Sequence, residues 1–137
     1  MTGRGRPLVV DASAVLDLLL QLRRAHRIGE LISSPFAQSH VPDTIDREVI
    51  NVLRKRERSG SLTSAEAETV FGEFLLLPFE VHDARPFAPR VWGLRSVCSV
   101  GDAYYVSLAE SLDATLITSD EKLARGVAQL DLDVIVP

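Results

Sequence analysis

The chain has a single cysteine, Cys98, and so no intramolecular disulfide. A disulfide-braced secreted fold is excluded, and a reducing cytosol is the simple expectation. Cys98 itself reads as a small buried apolar side chain, with a reactive thiol as the other possibility. Aromatic residues are scarce, and Trp92, Tyr104 and Tyr105 are too few to build a base-stacking platform. No apolar run approaches the ~18 residues of a membrane span. The longest, Leu18–Leu20 and Phe74–Leu77, fit core segments, and the run near the N-terminus breaks at Asp11, too early for a secretory signal. There is no glycine-rich phosphate loop. His26, His40 and His82 lack any metal-ligand spacing and read as surface or core residues. Positive charge is not in excess either: 15 basic residues face 19 acidic ones, a net charge of −4. Phosphate binders are usually basic, so composition alone argues against a nuclease. With four of the acids committed to cations, however, the remainder of the chain balances its 15 basic residues.

What is present is an ordinary globular balance, 46% hydrophobic and 25% charged over 137 residues, enough for one core and one domain. That domain is expected to span residues 1–137, with residues 1–7 as a flexible leader carrying Arg4 and Arg6. Leu8-Val9-Val10 is a continuous apolar run that fits a buried parallel strand. A helix is predicted from Ser13 or Ala14 to about Leu22, with Val15, Leu18, Leu19 and Leu22 at helical spacing. A second covers Ala25–Ile32 and ends at Ser33-Ser34-Pro35, and Phe36–Val41 reads as extended. Pro42-Asp43-Thr44 opens a helix to about Arg58 that Gly60 stops. Thr63 and Glu66 form a capping box for a helix reaching Leu77. Phe79–Val81 is a weak strand and Pro86 to Val97 a helix. Ser99 caps a helix over Gly101–Leu112. Thr115–Ile117 is a strand, Asp120–Val127 a helix and Val134–Val136 a last strand. Strands alternating with helices imply a parallel sheet covered on both faces.

Four carboxylates stand out. Asp11 and Asp120 lie just beyond strand ends, where α/β sheets bind ligands, although an aspartate there is also an ordinary turn or helix-capping residue. Asp102 shares a helix face with Tyr105, Val106, Ala109 and Leu112, so it points towards the core. Either it completes a capping box with Ser99 or it serves a site. Glu48 sits at the edge of the stripe Ile45, Val49, Val52 and Leu53, with Asn51 and Lys55 on its side and Arg47, Arg54 and Arg58 facing away. Alone it reads as a solvated residue, and Asp43 and Asp46 leave the choice of acid open. If the four converge, each pair repels by roughly 3 kcal/mol at about 5 Å and an effective dielectric near 20. Protonation or cations must relieve this, and oxygen-only ligands suit Mg²⁺ or Mn²⁺. Such ions activate water and stabilise a leaving oxygen in phosphodiester cleavage. Ser13 and Thr118 are candidates to orient Asp11 and Asp120, or simply to bond the backbone.

Four segments together resemble the PIN-domain family, in particular the VapC-type toxins of VapBC type II toxin–antitoxin systems. They are Val9-Val10-Asp11-Ala12-Ser13-Ala14, Arg47-Glu48-Val49-Ile50-Asn51-Val52-Leu53-Arg54, Gly101-Asp102-Ala103-Tyr104-Tyr105-Val106-Ser107-Leu108-Ala109-Glu110 and Leu116-Ile117-Thr118-Ser119-Asp120-Glu121-Lys122-Leu123-Ala124. The resemblance spans Leu8 to Ala124. It implies a three-layer α/β/α fold with a central, mostly parallel sheet of four or five strands. It also implies a cytoplasmic, metal-dependent endoribonuclease that cuts single-stranded or loop regions of RNA. Asp11, Glu48, Asp102 and Asp120 would be its catalytic residues and its Mg²⁺ or Mn²⁺ ligands. It further implies a homodimer and a cognate antitoxin that blocks the acidic pocket, often with an arginine.

Rival readings fare worse. A haloacid-dehalogenase-like phosphatase needs a second acid two residues after the first, where this chain has Ser13. A receiver domain needs an adjacent acidic pair, and Asp11 is followed by Ala12. The remaining alternative is a catalytically inactive PIN-like module that only binds a partner; buried acids without a cation weigh against it. Arg23, Arg24 and Arg27, and Arg54, Lys55, Arg56 and Arg58, read as solvated helix faces or as phosphate-tracking clusters.

Overall fold

Leu8-Val9-Val10 has no polar face, and a strand of that kind needs cover on both sides. In the computed structural model, which describes residues 5–34 and 38–137, it has that cover. This strand, β1 (Leu8–Val10), is the middle of an all-parallel five-stranded sheet with β2 (Ser39–Pro42), β3 (Glu80–His82), β4 (Thr115–Ile117) and β5 (Asp133–Ile135), in the order β3-β2-β1-β4-β5. Val10 lies opposite Ile117 of β4, and Val9 opposite His40 of β2. The helices are α1 (Ala12–Leu19), α2 (Ala25–Ile32), α3 (Ile45–Ser59), α4 (Ser64–Leu76), α5 (Ala88–Gly93), α6 (Val100–Leu112) and α7 (Glu121–Gly126). α6 packs across β1, β2 and β4 with α5 against it, while α1 packs on α2, α3 and α4. The result is the expected three-layer α/β/α architecture, its sheet wholly rather than mostly parallel. Val9, Val10, Val15, Leu108, Leu116 and Ile117 form its fully buried centre.

The strand order creates a reversal. From β1 the chain steps outward to β2 and β3, then crosses back to β4 on the other side of β1. The carboxyl ends of β1 and β4 therefore flank the switch point, where open parallel sheets form their ligand crevices. Pairing continues past the strands: Asp11 N–H donates to Ile117 O at 2.8 Å and Thr118 N–H to Ile135 O at 3.1 Å.

Local signals account for most boundaries. Gly60 ends α3 with φ 82°, a conformation that side chains resist. Thr63 Oγ1 accepts from Glu66 N–H at 3.1 Å while Glu66 Oε1 accepts from Thr63 N–H at 2.8 Å, the reciprocal capping box. The helix expected over Pro86–Val97 is shorter: a 3₁₀ turn at Arg85–Phe87 leads into α5, which ends at Gly93. Residues 1–4 of the expected leader, and Phe36 and Ala37 of the expected extended segment, lie outside the described residues. Within the leader, Arg6 is ion-paired to Asp133 at 3.3 Å and to Asp113 at 3.7 Å. Among the described residues no helix is long and apolar enough to cross a membrane.

α1 departs from expectation. It stops at Leu19 rather than Leu22, and Leu22 is 39% exposed instead of joining the core. Gln21 takes a left-handed conformation, φ 55°. Leu22 N–H then donates to Asp17 O at 2.9 Å and Gln21 N–H to Leu18 O at 3.3 Å, the paired bonds that close a helix on a left-handed residue. The usual glycine signal is missing, so the stop is invisible in the sequence. Gln21 Nε2 partly compensates by bonding Leu18 O at 3.0 Å. Relief of the left-handed strain by Gln21→Gly is expected to raise stability by about 1 kcal/mol in urea denaturation; an unchanged or lower midpoint would show that the side-chain bond matters more.

Candidate active site

Asp11 follows β1 directly and is only 3% exposed. It occupies the N-cap position of α1, yet its side chain makes no capping bond. Its Oδ2 instead accepts from Ser13 Oγ at 2.6 Å and from Thr118 Oγ1 at 2.8 Å. A hydroxyl has one proton, so both are spent on Asp11, and the Ser13–Thr118 oxygen contact of 3.3 Å has none left to share. The hydroxyl oxygens in turn accept backbone donors. Ser119 N–H reaches Ser13 Oγ at 3.1 Å and Asp120 N–H reaches Thr118 Oγ1 at 3.0 Å. The two strand ends are thus tied through the carboxylate of Asp11.

The other three acids come from helix starts. Asp120 is the N-cap of α7, with Oδ1 accepting from Leu123 N–H at 3.1 Å. Asp102 lies half-buried in the first turn of α6. Ser99 caps that helix by accepting from Asp102 N–H at 3.2 Å, without the reciprocal carboxylate bond seen at Thr63 and Glu66. Glu48 is in the first turn of α3 and half-buried, with Oε1 accepting from Tyr105 Oη at 3.0 Å. Asp43 and Asp46 are exposed, whereas Glu48 is half-buried and feels the charges of Asp11 and Asp102.

Electrostatics links the four. Burial raises the pKa of Asp11 against the lowering bonds from Ser13 and Thr118, and the charge of Asp102 raises it further. Burial likewise pushes Glu48 up to about 7, opposed by the Tyr105 bond and reinforced by Asp11 and Asp102. Asp102 is raised by burial and by Asp120, against its contact with Ser99. Burial and then the Glu48 charge hold the Tyr105 phenol far above its usual range, so it stays a donor. Asp102 and Asp120 also line one pocket of about 310 Å³ with Cys98, Ser99 and Lys122. Cys98 is half-buried at this wall, and burial raises its thiol pKa, which disfavours the reactive-thiolate reading. Oxygen-only donors suit a hard divalent cation, which would offset both the burial and the neighbouring charges that favour protonation of Asp11, Glu48 and Asp102.

Comparison with known proteins gives the family. Residues 8–128 match the family described as PIN domain. The chain belongs to the PIN-domain family. Ribonuclease VapC3 of Mycobacterium tuberculosis is 35% identical to this PIN domain over 121 residues, covering 87% of this chain and 86% of the relative. Among solved structures, PAE2754 from Pyrobaculum aerophilum superposes with a TM-score of 0.70 at 23% identity, covering 96% of this chain and 84% of that one. VapBC2 from Rickettsia felis, bound to a DNA fragment from its promoter, gives 0.64 at 14% identity, covering 94% and 97%.

The PIN domain holds contacts that sequence reasoning missed. Tyr105 was legible only as a core residue on the Asp102 stripe, yet it bonds Glu48. Arg23 and Arg27 are exposed as expected, but Arg24 turns inward, with Nη1 donating to Ser119 O at 2.6 Å and Nη2 3.3 Å from Glu121. His26 is exposed beside Glu30. His40 and His82, far apart in sequence, meet across β2 and β3 at 2.8 Å, with Glu80 beside them. The alternation Glu80-Val81-His82 on a strand was the available signal, but it needed the β2–β3 register to mean anything.

The raised pKa of Glu48 has a signed consequence. A folded-state value near 7 against 4.5 when unfolded means that the native protein binds the extra proton between those values. The Glu48 contribution to the stability of the cation-free protein should therefore fall as pH rises from 4.5 to about 7, and level off above that. Thermal melts in chelator are expected to show a smaller loss in Glu48→Gln than in the unsubstituted protein; identical pH profiles would refute the shift.

Proposed function

We propose that this PIN domain is a metal-dependent endoribonuclease, the VapC-type toxin of a toxin–antitoxin pair. The observation that carries the reading is the set of four electrostatically linked carboxylates at the switch point, three of them with raised pKa. It is supported by the names of relatives at 33–35% identity, which are ribonucleases of the VapC type. Asp11, Glu48, Asp102 and Asp120 would hold Mg²⁺ or Mn²⁺. When bound, such a cation supplies an activated water and stabilisation of the leaving oxygen in RNA phosphodiester hydrolysis.

The chain's own residues prepare that chemistry. Ser13 and Thr118 fix the orientation of Asp11 and act as positioning residues. Tyr105 does the same for Glu48. Arg24 ties Ser119 next to Asp120, and Lys122 brings a positive charge to the pocket wall, suited to a phosphate of the RNA. A cognate antitoxin as inhibitor, a homodimer and a cytoplasmic location complete the reading. The antitoxin is suggested by solved VapBC complexes of similar fold.

Purified protein is expected to cleave structured RNA with Mg²⁺ or Mn²⁺. Asp11→Asn or Asp102→Asn should lower the rate by about 100-fold or more, several kcal/mol of barrier, with far-UV circular dichroism unchanged. Undiminished cleavage in either variant would remove that residue from the site. Removal of the supporting hydroxyl, Thr118→Val, is expected to weaken Mn²⁺ about tenfold, read as a smaller Mn²⁺-induced shift in Tm; an unaltered shift would leave Thr118 with a purely structural role.

A further inference from the structure

The β2–β3 edge carries a second cluster of ligating groups, chemically unlike the first. In the parallel pairing of β2 and β3, His40 lies opposite Glu80 and Pro42 opposite His82. Residues two apart on a strand share a face, so all three side chains rise from one side of the sheet. His40 Nδ1 is 2.8 Å from His82 Nε2 and 3.4 Å from Glu80 Oε2. One nitrogen or oxygen from each comes within 4.8 Å of the others, and among the described residues this is the one group that converges so closely. The imidazoles are tilted by 41° with centroids 5.1 Å apart, so they meet through nitrogens and not as a stack.

We propose that His40, Glu80 and His82 form a second cation site, suited to a late divalent transition metal such as Zn²⁺, that clamps edge strand β3 to β2. Imidazole nitrogen is a good ligand for Zn²⁺ and a poor one for Mg²⁺. Two imidazoles and a carboxylate supply three positions of a tetrahedron, leaving the fourth to water. Ligand atoms about 2.0–2.1 Å from Zn²⁺ sit roughly 3.3 Å apart, so the 2.8 Å nitrogen pair must open by about half an ångström. The parts that must move are free to do so. His40 is the fixed base, its side chain 7% exposed, whereas Glu80 is 68% exposed and His82 half-buried. Burial, opposed by Glu80, lowers the pKa of His40 and keeps its ring neutral, as a ligand must be. The proton now shared between the facing nitrogens shifts to the far nitrogen of its own ring, so coordination by the neutral pair releases no net proton.

The site is separate from the switch point. The charges that act on His40 are those of Glu80 and His82, and none of the four carboxylates of the candidate active site is among them. The two sites would sort cations by hardness, the oxygen set taking Mg²⁺ or Mn²⁺ and the nitrogen-rich set taking Zn²⁺. β3 gains most, since it is a three-residue edge strand with Glu80 and Val81 exposed.

Calorimetric titration of the metal-stripped full chain with Zn²⁺, alongside Co²⁺ absorption spectra, tests the assignment. One equivalent of Zn²⁺ should bind the unsubstituted protein and Asp102→Asn alike, and Co²⁺ should give tetrahedral d–d bands. Affinity should fall by about tenfold or more in His82→Gln and in Glu80→Gln. Glu80 is exposed, so Glu80→Gln decides the matter if His82→Gln fails to fold. Absence of Zn²⁺ binding, unchanged affinity in a folded variant, or binding lost in Asp102→Asn and retained in His82→Gln would each overturn the proposal.

Discussion

Carboxylates repel, and this fold gathers four of them around the carboxyl ends of β1 and β4 while burial strips away the water that would screen them. The charges that act are those of Asp102 on Asp11, of Asp11 and Asp102 on Glu48, and of Asp120 on Asp102; a pair of unit charges about 5 Å apart repels by roughly 3 kcal/mol at an effective dielectric near 20. The backbone offers a partial answer, because all four acids stand at helix N-termini. Asp11 and Asp120 occupy the N-cap positions of α1 and α7, and Glu48 and Asp102 lie in the first turns of α3 and α6. A helix start favours a negative charge by about 0.3–1 kcal/mol. That is less than the repulsion of a single pair, so four dipoles soften the conflict without removing it. Burial first, and the neighbouring carboxylates after it, raise the pKa values of Asp11, Glu48 and Asp102. On the proposed reading a divalent cation takes up what the dipoles leave.

The remainder of the architecture follows from having to hold such a cluster still. β1 and β4 are buried on both faces, and Val9, Val10, Leu116 and Ile117 are fully inaccessible, so neither strand end can drift apart from the other. The hydroxyls of Ser13 and Thr118 then convert strand-end proximity into a fixed carboxylate. Each spends its proton on Asp11 and accepts a backbone N–H from the segment after β4, Ser13 from Ser119 and Thr118 from Asp120, an arrangement with no spare freedom. Tyr105 serves Glu48 from within the core, where its phenol has no water to compete. The acids differ in how firmly they are held: Asp11 by two hydroxyls, Asp120 by its own helix, Glu48 by one phenol.

How much of this was legible in the sequence depends on range. Features decided within a few residues could be read directly: the all-apolar β1, the capping box of Thr63 and Glu66, the glycine stop at Gly60, and the Ser99 cap of α6. The four-segment resemblance supplied the fold, and with it the four acids as candidates. Features decided by register or packing were hidden. The sequence offered nothing to distinguish the burial of Glu48 from that of Asp43 and Asp46, and the bond of Glu48 to Tyr105 crosses 57 residues. The end of α1 was missed because Gln21 adopts a conformation usually marked by glycine. His40 and His82 looked unrelated because the spacing that matters runs across paired strands and not along the chain.

The net charge of −4 gains a sharper meaning once the acids are placed. Read as a composition, it argued against a phosphate-binding protein. At the wall of the pocket, the two carboxylates of Asp102 and Asp120 stand against the one ammonium of Lys122, a balance that disfavours a phosphate wherever both acids are ionised. A bound divalent cation changes that balance locally, without any alteration elsewhere on the surface. On the proposed reading, attraction of RNA is therefore conditional on cation loading, and the same four side chains that catalyse would also keep the unloaded protein from holding its substrate. A basic surface would bind RNA whether or not the site was ready. With the four acids set apart, the remaining charges of the chain balance, so on that reading its modest acidity is a consequence of the site and no longer an objection to it.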